Sequence, residues 1–248
     1  MSFVSPLEKC PCGSGKRFIN CCFKLHHKYC KIYLPKWTTA KNKCYVYDKT
    51  LHEEYLAKIL SFLDFHTNKD YELCMSDYPN LLFYIDKLSS LYLMHTDCHK
   101  GCDYCCYMTV ATSEFEAEYI KQYIERNWSA EQKSKLHSKI KKLKREHREI
   151  FDFSYIESNL NISNPIPCLF LEDECCSIYA CRPAICRTYM SFSPSEICRE
   201  VQLNSNKDIQ ILEADSAEDF RNELFSFYLS HAKVVYGHQH LAYWFSEL

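Results

Sequence analysis

Four thiols fall within nine residues at Cys98, Cys102, Cys105 and Cys106, with Gly101 among them. Thiolates are ligands for soft and borderline metals. A three-residue gap followed by a two-residue gap brings successive sulfurs to one side of a turn, provided one residue takes positive φ, and Gly101 can do so. Cysteines used only as small hydrophobes do not gather at ligand spacing. A later stretch, residues 167–187, carries Cys168, Cys175, Cys176, Cys181 and Cys186. Near the N-terminus Cys10 and Cys12, an eight-residue loop, and Cys21 and Cys22 supply four soft ligands in two pairs. That arrangement closes a tetrahedron and leaves no open position, which is the form of structural zinc.

The composition limits what else this chemistry can be. A chain of 248 residues, 47% hydrophobic and 25% charged with net charge -2, can bury a core without cross-links and has no overall pull toward nucleic acid. The N-terminal residues lack an apolar signal region, and the longest apolar run, Leu81 to Ile85, is too short to cross a bilayer, so a cytoplasmic location away from the membrane is expected. In that reducing compartment 17 cysteines, an odd number, argue for metal sites over disulfides. Only four glycines are present, so no Gly-rich strand-to-helix loop exists for a dinucleotide or S-adenosylmethionine. Gly15-Lys16 is not a phosphate loop, because Cys10 and Arg17 stand where that pattern needs Gly and Ser or Thr.

Two resemblances follow from these residues. Cys10-Pro11-Cys12, Gly13-Ser14-Gly15-Lys16 and Cys21-Cys22 resemble the SEC-C motif, a small zinc module found at the C-terminus of the bacterial SecA translocase and appended to other proteins. The resemblance implies a structural zinc and a partner-binding role for residues 1–24. Residues 95–192 resemble the YkgJ-like cysteine-cluster proteins, a zinc- or iron-chelating family with the CxxCxxCC signature. Cys98, Cys102, Cys105, Cys106, Cys168, Cys176 and Cys186 stand at the family positions, together with Tyr179, Arg182, Pro183 and Arg187, while Cys175 and Cys181 are extra. Some relatives of that family are lysine N-methylases, which implies an alternative function as an iron–sulfur enzyme modifying a protein. The spacing of Cys98, Cys102 and Cys105 also matches the cluster motif of radical-SAM enzymes, but those use a parallel α/β barrel, and this sequence offers helices and one hairpin.

The elements that must hold these thiols are mainly helical, with a small β-hairpin around the cysteine cluster. Residues 25–48 read as a linker with local packing, in which His26 and His27 are surface or satisfied histidines and Cys30 and Cys44 are packing residues, as is Cys74 further on. Apolar residues at three- and four-residue steps predict helices over 51–65 and, after Pro79, over 78–94. Ser113-Glu114-Phe115-Glu116 is a capping box that opens a third helix. Residues 131–150, with eight Lys or Arg and an apolar stripe of Leu136, Ile140, Leu143 and Ile150, predict a basic helix inserted within the family region. Its charge reads as a solvated face ahead of a nucleic-acid contact. The acidic turn after Leu171 predicts the hairpin, Pro183 a further turn, and Asp215 or Ser216 the cap of a helix through Phe220 and Tyr228. His231, His238 and His240, without paired cysteines, read as packing or surface residues.

The expected protein is therefore a metal binder with a separate N-terminal zinc module, residues 1–24, and a larger domain, residues 49–248, holding zinc or iron. Seven sulfurs exceed one tetrahedron. Either two zincs share a bridging sulfur, or an iron–sulfur cluster takes three or four thiols and the rest pack or bind a second metal. The spacing and the resemblance lean toward iron. A metal-stabilised adaptor for protein or ribonucleoprotein is the third reading.

Overall fold

A computed structural model describes residues 7, 9, 15–20, 29–33, 44–152, 166–203, 213–232 and 238–247. The proposed N-terminal zinc ligands Cys10, Cys12, Cys21 and Cys22, and His26 and His27, lie outside the described residues. Within that loop Gly15 takes φ +72°, and Lys9 bridges Arg17 in antiparallel fashion.

The chain is mainly helical, with small antiparallel strand pairs. Strands β1 (Tyr29–Tyr33) and β2 (Cys44–Asp48) pair within the stretch read as a linker. Asp48 ends β2 and caps helix α1 (Lys49–His66), its carboxylate accepting from the amides of Thr50 and Leu51. Helix α2 (Tyr71–Leu93) begins seven residues before the sequence pattern suggested. Asp70 caps it, and Pro79 sits in its interior, not at its start. The ring removes one helical hydrogen bond, and the burial of Cys74, Met75 and Tyr78 on the first two turns outweighs that loss. Cys74 is fully buried and acts as the packing residue expected.

Strand β3 (Ala111–Ser113) ends in the capping box, Ser113 with Glu116, that opens helix α3 (Glu114–Asn127). Helix α4 (Ala130–Glu146) is the basic helix, and it buries Leu136, Ile140 and Leu143 as its apolar stripe requires. Hairpin strands β4 (Leu171–Glu172) and β5 (Cys175–Cys176) precede helix α5 (Ala184–Thr188), strand β6 (Tyr189–Ser191) and helix α6 (Ser195–Leu203). Strand β7 (Glu213–Asp215) pairs with β6. Helix α7 (Arg221–Ser230) starts later than expected, with Phe220 at its cap position. Asp215 lies in the β7 ladder, ahead of that cap position, and the Ser216 hydroxyl is engaged by Ser89 at 2.7 Å. Strand β8 (His238–His240) returns to pair with β3.

Two clusters of buried side chains make the core. One joins α1, α2, Phe115 and α7, and the other joins α3, α4, the β4–β5 hairpin region and the C-terminal Leu241, Ala242 and Phe245. No helix among the described residues is long and apolar enough to cross a membrane.

The β8 register sets a pH response. Burial holds His240 down to about 4, below its ordinary 6.5, because an imidazolium there would lose its water. The unfolded chain therefore takes up a proton that the folded chain refuses, so stability is full above about 6.5 and falls as pH drops toward about 4. The shift corresponds to roughly 3 kcal/mol when fully expressed. Urea unfolding at pH 7 and pH 5 should show the loss in the native chain, and a smaller loss in His240→Asn; equal losses would remove His240 as the cause.

Candidate metal centre

Helix α2 runs out at Leu93, and the chain turns through Thr96, whose buried hydroxyl donates to the Leu93 carbonyl and accepts from the Cys98 amide. Cys98 is thereby fixed to the end of the helix. Gly101 takes φ +97°, and the Cys102 amide closes a turn on the His99 carbonyl at 3.0 Å. A residue with a Cβ is strained at this φ. A 3-10 turn at Tyr104–Tyr107 then presents Cys105 and Cys106 on successive residues.

The second stretch is tied directly to the first. The Cys168 amide donates to the Cys106 carbonyl at 2.8 Å. From there the hairpin pairs Leu171 with Cys176 and Glu172 with Cys175 across a two-residue turn. Successive strand residues face opposite ways, so Cys176 turns toward Cys168 while Cys175 is exposed. The turn residues Asp173 and Glu174 have φ +46° and +60°, the primed-turn conformation that Gly occupies without strain. Relief of the left-handed backbone at Glu174, about 1–2 kcal/mol, exceeds the entropy that glycine adds to the unfolded chain, about 0.5–1 kcal/mol, so Glu174→Gly should raise stability in urea unfolding, and a decrease would show that the Glu174 side chain holds the turn.

Two arginines hold the next segment. Arg187 is buried, and its guanidinium donates to Asp86 of α2 and to the carbonyls of Arg182 and Ala180. Arg182 stacks 3.9 Å from the Tyr179 ring centre and donates to Asp86, to the Tyr179 carbonyl and to the Cys186 carbonyl. Each guanidinium thus makes three hydrogen bonds within the protein, and together they brace the Cys186 turn. Their positive charge also favours the thiolate at Cys176.

These elements bring eight thiols to one cavity of about 740 Å³: Cys98, Cys102, Cys105, Cys106, Cys168, Cys176, Cys186 and Cys198. All seven central cysteines singled out from the sequence are there. The eighth, Cys198, was missed. It stands alone on α6 with no cysteine at ligand spacing, and only the packing of α6 on the Tyr104–Tyr107 turn brings it in. Cys181 is buried away from the lining, and Cys175 faces outward. His231, His238 and His240 do not line the cavity either; His231 bonds the Phe227 carbonyl and the Ser230 hydroxyl.

Several of the sulfurs meet backbone N–H groups. Backbone amides are aimed at four of them: Ser191 at Cys98 (3.4 Å), Phe170 at Cys168 (3.5 Å), Tyr104 at Cys102 and Ile178 at Cys176. An N–H directed at sulfur favours the charged form. Burial works the other way and dominates, pushing Cys102 and Cys168 up to about 11 and raising Cys98, Cys176 and Cys198. Cys105 is raised first by its hydrogen bond with Cys106 and then by burial. Cys105 is also a charge neighbour of Cys98, Cys102, Cys168, Cys176, Cys186 and Cys198. Among the described residues no three Cys, His, Asp or Glu side chains converge on a single point. The thiols ring the cavity without converging, in a setting where a bound cation would take the place of thiol protons.

Residues 97–215 match a family model, CxxCxxCC, whose description is "putative zinc- or iron-chelating domain". The match runs past Cys186 to include Cys198, and it contains all eight cavity thiols and α4. It supports zinc or iron binding in this region. Neither a curated protein nor a solved structure matches the chain.

Proposed function

We propose that this protein chelates zinc or iron in two four-sulfur sites within the cysteine cavity. The observation that carries the reading is the gathering of eight thiols from separate segments around one cavity, with backbone amides aimed at four sulfurs. Charge neighbours divide them. Cys102 and Cys198 neighbour Cys98 and Cys105, whereas Cys186 neighbours Cys168, Cys176 and Cys105. Three sulfurs on each side leave Cys105 and Cys106 to complete one set each, so no bridging sulfur is needed. Four thiolates suit tetrahedral zinc, and four thiolates also hold an iron–sulfur cluster. The sequence spacing of Cys98, Cys102 and Cys105 favours iron on that side.

The N-terminal cysteines Cys10, Cys12, Cys21 and Cys22 are proposed as a separate structural zinc site, complete within residues 1–24. Metal analysis and an absorption spectrum of protein purified without oxygen test both parts. The iron reading expects a brown protein whose colour disappears in Cys102→Ser, with zinc retained; deletion of residues 1–24 should remove one zinc and leave the colour. A colourless protein holding two zincs beyond the N-terminal one supports two zinc sites and overturns iron. A protein that binds neither metal in the cavity overturns the function.

A further inference from the structure

Lys139 departs from the solvated face expected of α4. It is half-buried beside Leu136 and Ile140, and its ammonium donates to the Leu171 carbonyl of β4. Lys133 and Lys135 form ion pairs with Glu125 and Glu131, whereas Lys139 has no ion pair with a carboxylate among the described residues.

Packing puts it there. Leu136, Ile140 and Leu143 bury α4 in the same cluster as Leu169 and Phe170, and Cys168 and Cys176 pack against that cluster. Leu171 donates its amide to the Cys168 carbonyl and stands opposite Cys176 in the hairpin. The ammonium is therefore bonded to a residue that the backbone ties to both cysteines. Its strongest charge neighbours are Cys168, Glu172, Cys106 and Cys176, and its own charge favours the Cys168 thiolate. Burial lowers the lysine, because an ammonium partly stripped of water is disfavoured. A cation so placed gains from anions beside it, and the thiols become anions when they give up protons to a metal. Four thiolates around a divalent ion leave two negative charges in excess, part of which a neighbouring ammonium offsets.

Resting on the metal reading above, we infer that Lys139 is a positioning residue of the Cys106, Cys168, Cys176 and Cys186 set, its charge stabilising the metal-bound thiolates and giving the basic helix a part in the metal site. Zinc competition against a chelator on the full-length chain tests this in two variants: Lys139→Gln keeps an N–H donor and loses the charge, and Lys139→Arg keeps both. Lys139→Gln should bind one central zinc at least about tenfold more weakly, and Lys139→Arg should restore most of that affinity. Urea unfolding of the metal-free variants should match the native chain, since the thiolates form only with metal. In a Cys168→Ser background, where this set is already broken, adding Lys139→Gln should leave the affinity of the remaining zinc unaltered. The inference is overturned if Lys139→Gln binds zinc as tightly as the native chain, if Lys139→Arg binds no better than Lys139→Gln, if the lost affinity is matched by lost stability of the metal-free chain, or if the same loss appears in Cys168→Ser. A native chain that takes up no metal in the cavity overturns the metal reading and this inference with it; native uptake that is indifferent to Lys139 overturns this inference alone.

Discussion

Replacing Cys105 with Ser is expected to cost the cavity more metal than any other single cysteine change. Cys105 neighbours sulfurs on both sides of the cavity. Losing it leaves one four-sulfur set incomplete and disturbs the Cys106 partner of the other, with which it shares a hydrogen bond. Thiolate zinc sites bind with roughly 10–16 kcal/mol of apparent free energy. Loss of a ligand should exceed the roughly 10- to 100-fold that outer-shell changes cost. Cys175→Ser is the control, because Cys175 faces solvent and does not line the cavity. Chelator competition on both variants decides the matter: equal affinities would place Cys105 outside the ligand set.

The same thiols predict opposite pH limits with and without metal. Metal must displace protons, so affinity falls as the solution is acidified, by up to about tenfold per bound thiol per pH unit. In the metal-free chain burial holds Cys102 and Cys168 up at about 11 against an ordinary 9.0. The folded state then keeps protons that the unfolded state gives up. Stability from this source is full below about 9 and is lost as pH rises toward about 11.

The second large effect is expected at Glu116. Its carboxylate is buried at 3% exposure and accepts from the Ala184 amide at 2.7 Å, the Tyr78 hydroxyl at 3.2 Å and the Ser113 amide at 3.5 Å. One side chain therefore closes the capping box of α3, anchors the first residue of α5 and meets a tyrosine of α2, whose hydroxyl lies 2.7 Å from that of Tyr228 on α7. Burial first, and then the Glu116 charge, raise both tyrosines, so their hydroxyls stay protonated. Glu116→Ala would strand three donors and is expected to cost about 3–5 kcal/mol in urea unfolding. It should also weaken metal binding, because α5 carries Cys186. A loss below about 1 kcal/mol would mean that water or a neighbour replaces the carboxylate.

Much of this was readable in the chain because it is local. Period and capping residues predict α1, α3 and α4, since a helix is decided by side chains three and four positions apart. The Cys98-Cys106 turn is local too, down to the positive φ of Gly101. What failed locally had a distant cause. Pro79 is tolerated within α2 because Cys74, Met75 and Tyr78 are buried by other elements, and Ser216 does not cap α7 because it is bonded to Ser89, 127 residues away.

Ligand chemistry divides in the same way. Residue type and spacing point to Cys98, Cys102, Cys105 and Cys106 as one group, the family resemblance adds Cys168, Cys176 and Cys186, and the scarcity of glycine argues against an ordinary nucleotide loop. Spacing carries that information because neighbouring residues on a tight turn have little freedom to point elsewhere. Only the tertiary structure decided that the two groups meet, through the Cys168 amide on the Cys106 carbonyl, and that Cys198 joins them and Cys181 does not. Those facts depend on how helices and strands far apart in sequence bury their faces, and burial of that kind leaves no periodic mark at the residues it brings together.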